Sequence, residues 1–94
     1  MSKRRALAKV DANQAEIKRA CKSIGASVTS IHEVGDGCPD LLVGFRGVNF
    51  LVEVKGEDGK LSDDEVIWHE SWMGTVYIVR TGDQMIKVLE DGTT

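Results

Sequence analysis

A chain of 94 residues, 41% of them hydrophobic and 29% charged, has room for one small domain whose core is adequate but not generous. Cys21 and Cys38 are too few for a disulfide framework and read as reduced thiols of a cytosol. No apolar stretch approaches a membrane span, and the basic start Met1-Ser2-Lys3-Arg4-Arg5 lacks the apolar run of a secretory signal. The formal charge of −3 is unevenly spread: residues 1–22 hold Lys3, Arg4, Arg5, Lys9, Lys18, Arg19 and Lys22 against Asp11 and Glu16, a balance of +5, and the remaining residues carry −8. A basic arm and first helix on an acidic body suits contact with a phosphate backbone, and equally a solvated helix face.

In chain order, residues 1–10 form a basic arm or a helix extension, and the first predicted helix runs from Asp11 to Ile24. Asp11 is placed as its N-cap with Gln14 at the third helical position, and Gly25 terminates it. Ile17, Ala20, Cys21 and Ile24 form the apolar stripe that packs on a sheet. Glu16 lies at the edge of that stripe. Its carboxylate either points along the sheet or stays exposed beside Lys9 or Arg19. Ala26 to Ile31 alternates and predicts a strand, followed by a sharp loop from His32 to Pro39 through Gly35-Asp36-Gly37.

The next segment is the most informative. Leu41 to Phe45 is an apolar run, Arg46-Gly47 has turn chemistry, and Val48 to Val54 resumes a strand, so the segment reads as a hairpin. With a two-residue turn, Phe45 faces Val48 and Asp40 falls opposite Glu53. With a four-residue loop, Arg46 to Asn49, Glu53 moves opposite Leu42, but the carboxylates still share a face. The strand period of two adds Lys55 to that face. Two like charges ~5 Å apart in a ladder destabilise it. Lys55 compensates in part, and a divalent cation would supply the rest; oxygen ligands suit Mg²⁺ or Mn²⁺. The plain alternative is a surface strand with scattered charges.

Glu57 to Lys60 predicts a turn centred on Asp58-Gly59, and Ser62-Asp63-Asp64-Glu65 is a capping box opening a helix that runs to about Met73. Trp68 and Trp72 share a stripe with Glu65. Core packing against the sheet is the expectation, with stacking on unpaired bases as the other reading. Val66, Ile67 and Met73 occupy other faces and point to a dimer contact. His69 reads as a solvated or hydrogen-bonded structural histidine. Thr75 to Arg80 predicts a strand, and Asp83 to Leu89 a final helix.

Taken together, Gly37-Cys38-Pro39-Asp40-Leu41-Leu42, Val52-Glu53-Val54-Lys55, Gly59-Lys60-Leu61-Ser62, the Trp68-His69 helix and Val76 to Arg80 resemble the VRR-NUC domain. This is the virus-type replication-repair nuclease branch of the PD-(D/E)XK superfamily, and the resemblance, to its stand-alone members, covers nearly the whole chain. It implies an α/β (α+β) fold with a restriction-endonuclease-like core, order α-β-β-β-α-β-α, and a central mixed sheet flanked by helices, spanning residues 1–94. It implies that Asp40, Glu53 and the backbone carbonyl of Val54 ligate Mg²⁺ or Mn²⁺, with Glu16 assisting as the N-terminal acid. Lys55 would orient the attacking water. Glu65 stands where the family usually has Gln, so its catalytic part is left open.

The expected activity is metal-dependent hydrolysis of DNA phosphodiester bonds to 5′-phosphate and 3′-hydroxyl ends, selective for branched DNA such as Holliday junctions. The setting is replication, repair or phage DNA processing in the cytoplasm of a bacterial or phage-infected cell. The expected protein is a homodimer without an organic cofactor or membrane contact, touching DNA through Lys3, Arg4, Arg5, Lys18, Arg46 and Lys60. The rival readings are a nuclease for another nucleic acid, a non-catalytic module that keeps the fold, and a zinc module built from His32, Cys38 and His69. The last lacks finger spacing.

Overall fold

The computed structural model describes the backbone of residues 2–94 and the side chains of residues 13–94. Helix α1 (Ser2–Ser23) leads into β1 (Ser27–Ser30), a single 3-10 turn at His32–Val34, and the hairpin strands β2 (Leu41–Phe45) and β3 (Val48–Val54). Helix α2 (Asp63–Ser71), β4 (Val76–Val79) and helix α3 (Gly82–Asp91) complete the expected order. The strands lie side by side as β1-β2-β3-β4, with β1, β2 and β3 antiparallel and β4 parallel to β3. This is a mixed sheet flanked by helices, as the α/β class requires.

Several boundaries differ from the sequence expectation. Helix α1 starts at Ser2, so Asp11 lies within it and is not its N-cap. The segment before Asp11 is rich in Ala, Leu, Lys and Arg, all good helix formers, and nothing in it stops the helix. Ser62 caps α2 as expected, its side chain accepting from the Glu65 N–H while the Glu65 side chain accepts from the Ser62 N–H. The turn after β3 closes one residue early, through Gly59 N–H donating to Gly56 O.

The hairpin takes the two-residue turn. Phe45 pairs with Val48 and Leu41 with Val52. Arg46 and Gly47 both have positive φ (50° and 80°), as a type I′ turn demands. The Arg46 guanidinium lies over the Phe45 ring.

Alternation along β3 sends Phe50, Val52 and Val54 to one face and Leu51, Glu53 and Lys55 to the other. The first face is the core: Leu41, Val43, Phe45, Phe50, Val52, Val54 and Val79 pack with Ile17 and Cys21 of α1 and Met85 and Leu89 of α3. The α1 stripe is therefore as expected, with Ala20 and Ile24 partly buried against it. Helix α2 joins the parallel strands β3 and β4 and meets the opposite face.

That helix overturns one expectation. It buries none of its residues, so Trp68 and Trp72 do not pack into a core. The two indoles stack on each other, centroids 4.7 Å apart and planes 16° apart, with Trp72 47% exposed. The helix turns Glu65 and His69 to the sheet, leaving Trp68 half-buried at the margin of that face.

Candidate active site

Asp40 and Glu53 meet at the open end of the hairpin. Continuing the Leu41–Val52 pairing by one residue puts them opposite each other, and Ile31 N–H donating to Asp40 O extends the ladder to this point. Both carboxyls are buried, Asp40 being 7% and Glu53 1% exposed. Pro39 is buried beside them and fixes the backbone entering Asp40. On the neighbouring strand, Glu53 pairs with Ile78, an apolar residue that offers its carboxyl no partner.

Each acid has a distinct set of contacts. Asp40 Oδ2 accepts from the Val54 N–H at 2.8 Å, and Oδ1 lies 3.3 Å from His32 Nδ1. Glu53 Oε1 lies 3.2 Å from His69 Nε2. Glu53 Oε2 is buried with no hydrogen-bond partner. Burial first, then the adjoining Asp40 carboxyl and the charge of Glu65, push Glu53 up to about 9, with Lys55 opposing. Two carboxyls confined together cannot both ionise cheaply, so the metal-free pair retains a proton at neutral pH.

Lys55 follows on the same face, its Nζ donating to Glu65 Oε1 at 2.6 Å. Burial acts to raise Glu65, but Lys55 and the Ser62 N–H outweigh it and hold that carboxyl below the usual range. The main chain at Lys55 is fixed from both sides: its N–H donates to Val79 O and its carbonyl accepts from Asn13 Nδ2 of α1. Arg80 braces the following turn by donating to the carbonyls of Gly56, Glu57 and Gly59.

The structure thus brings Asp40, Glu53, Lys55 and Glu65 together. Glu16 goes elsewhere. It is exposed, and its Oε2 accepts from the Gly82 N–H at 2.8 Å, capping the start of α3 instead of joining the carboxylate pair. From α1 it is Asn13 that reaches the site. Arg46 and Lys60 are exposed and Lys18 is half-buried, whereas the side chains of Lys3, Arg4 and Arg5 lie outside the described residues.

Two residues near the acids were underrated by the sequence: His32 and His69 each adjoin one carboxyl. His69 lies one helical turn after Glu65 on the same face of α2, which is the signal that could have found it. Among the described residues no three His, Cys, Asp or Glu side chains form a ready-made metal cluster. His32 and His69, two members of the zinc reading with Cys38, lie against different carboxyls, Asp40 and Glu53. The donor chemistry still suits a hard divalent cation: two buried, facing carboxyls, one with an oxygen that nothing satisfies.

No family model matches the sequence, and no curated protein matches it. A solved structure described as a VRR_NUC domain does match: it superposes with a TM-score of 0.70 at 32% identity, covering 87% of this chain and 95% of that chain. The shared fold thus spans almost all of that domain at an identity well above that of chance likeness. With this sheet order and hairpin, the chain belongs to the VRR-NUC family and is a domain of nuclease fold.

Proposed function

We propose that this protein is a Mg²⁺- or Mn²⁺-dependent endonuclease that hydrolyses DNA phosphodiester bonds, selects branched DNA such as four-way junctions, and works as a homodimer. One observation carries the reading: two buried acids face each other at the open end of a hairpin with a lysine next on the same face. Membership of the VRR-NUC family supports it. Exposed Val66 and Ile67 of α2, and Met73 just beyond its end at Ser71 and 99% exposed, support a contact between two copies at this helix.

Asp40 and Glu53 would hold the ion, with the Val54 carbonyl as a further ligand. When bound, the cation supplies Lewis-acid polarisation of the phosphoryl group and a more acidic water. The protein's own groups do the rest. The Val54 N–H holds the Asp40 carboxylate in place, and the neighbouring backbone at Lys55 is tied to Val79 and Asn13. Lys55 places an ammonium where negative charge grows on the phosphoryl oxygens. Glu65, lacking the neutral side chain usual in the family, keeps that ammonium aimed by a direct bond. Glu16 belongs to the scaffold of α3 in this reading and not to the ligand set.

The test is a cleavage panel of junction, flap, duplex and single-stranded DNA with Mg²⁺ or Mn²⁺. Asp40→Ala and Lys55→Ala should each lower cleavage by about 10²–10³-fold, the order expected when a principal source of transition-state stabilisation is removed, while circular dichroism stays native. Full activity in either variant would refute the site. A well-folded wild type that binds junctions but cuts none of the panel would instead make it a non-catalytic binding module.

A further inference from the structure

Helix α2 buries no residue, so the apolar packing that normally fixes a helix contributes little to its docking. Two polar links fasten it to the sheet instead. Glu65 meets Lys55, and His69 meets Glu53. The spacings match: residues four apart on a helix advance about 6 Å, and residues two apart on a strand advance about 6.6 Å. As the helix runs from Glu65 to His69, its partners run back from Lys55 to Glu53, so α2 lies antiparallel along β3. One polar side chain of the helix thus serves each of the two functional side chains of the strand.

The His69 link is enclosed. Its side chain is 13% exposed, and that of Glu53 is 1% exposed. It occupies Oε1 and leaves Oε2 without a partner. A carboxylate held by one oxygen presents the other in a fixed direction, at a smaller loss of side-chain freedom when a ligand arrives. The third attachment is a backbone contact at the start of the helix. Gly37 lies so close to α2 that a Cβ there would come within 2.3 Å of the Asp64 carbonyl oxygen.

We propose that His69 is the positioning residue for Glu53, and that docking of α2 and binding of a divalent cation are coupled through this contact. The inference rests on the reading of Asp40 and Glu53 as cation ligands, and it adds a residue and a helix to that site. The helix is a cover latched by the site it covers. Each event strengthens the other, and linkage makes the two effects equal in size.

The probe is Mn²⁺ alone, without DNA, its binding followed by loss of the free-ion electron paramagnetic resonance signal. His69→Ala should weaken Mn²⁺ binding about tenfold, the usual scale for removing a group that orients a metal ligand. His69→Gln, which retains a polar nitrogen near the Nε2 position, should recover most of that loss. In parallel, Mn²⁺ should slow hydrogen exchange of α2 amides in the wild type by about the same factor and lose this effect in His69→Ala. Exchange in the α1–α3 core checks that the variants remain folded. A purely structural histidine would change melting and leave the Mn²⁺ affinity alone. Unchanged affinity in His69→Ala, or no Mn²⁺-dependent protection of α2 in a wild type that binds the ion, overturns the proposal by itself. A wild type that binds no Mn²⁺ defeats the cation reading and this proposal with it.

Discussion

Glu53 is a carboxyl sealed at the end of a strand beside that of Asp40, with His69 on one oxygen and no N–H or hydroxyl donor on the other. Its native pKa of about 9 stands far above the ordinary 4.5, chiefly because burial penalises the charge. The folded chain then keeps a proton that the unfolded chain releases, so between these two values stability falls as pH rises. We expect thermal melts in chelator to shift downward from about pH 5 to about pH 9, and Glu53→Gln, neutral and similar in shape, to flatten that slope. Parallel slopes in the two proteins would show that Glu53 titrates like an exposed acid. The juxtaposition of Asp40 with Glu53 was legible in the sequence because both residues belong to one hairpin and counting along it suffices. The destination of Glu16 was not. It depends on where α3 comes to rest, 66 residues further along the chain, and no local pattern encodes that.

At the scale of elements, local rules served the hairpin and α1 well and failed for α2. The α1 stripe lies against the core as its period demands, and Arg46-Gly47 turns the hairpin as its residue types predict. The indoles of α2 carry the same apolar signature as a core stripe, yet Glu65 and His69 take the inward positions because β3 offers charged partners there. Periodicity marks which residues share a face but not which face the sheet requires. Gly37 gives a test of how α2 is seated. Gly37→Ala should cost about 1–2 kcal/mol from its left-handed backbone alone, and more from the collision with Asp64. Gly25→Ala, at nearly the same positive φ (84° against 85°), lacks the collision, since nothing lies within 4 Å of its added Cβ. The difference between their denaturation midpoints therefore isolates the contact, and equal midpoints would mean that the loop does not hold the helix.

For the whole molecule, charge and architecture divide the labour. The acidic excess lies beyond residue 22, together with the site, whereas the basic residues gather in α1. An acidic body should repel a polyanion unless the basic segment offsets it, and each cation withdrawn from a phosphate should reduce the salt slope of binding by about 0.9. Replacing Lys3, Arg4 and Arg5 together should therefore weaken DNA binding and make it less salt-dependent, as read by fluorescence anisotropy across a salt series. An unaltered slope would assign phosphate binding to other residues, Arg46 and Lys60 among them. The tight turn has a further consequence for how the chain can vary. Arg46-Gly47 sits at the far tip of the hairpin, roughly 17 Å from Asp40 for five residues of strand. Pairing nonetheless propagates in steps of one residue, and a slip of one flips every side chain to the opposite face. The tip is thus a gauge for distant chemistry: its residue types can drift wherever positive φ is tolerated, but a turn that let β3 slip by one residue against β2 would send Glu53 into the greasy interior and dismantle the pair.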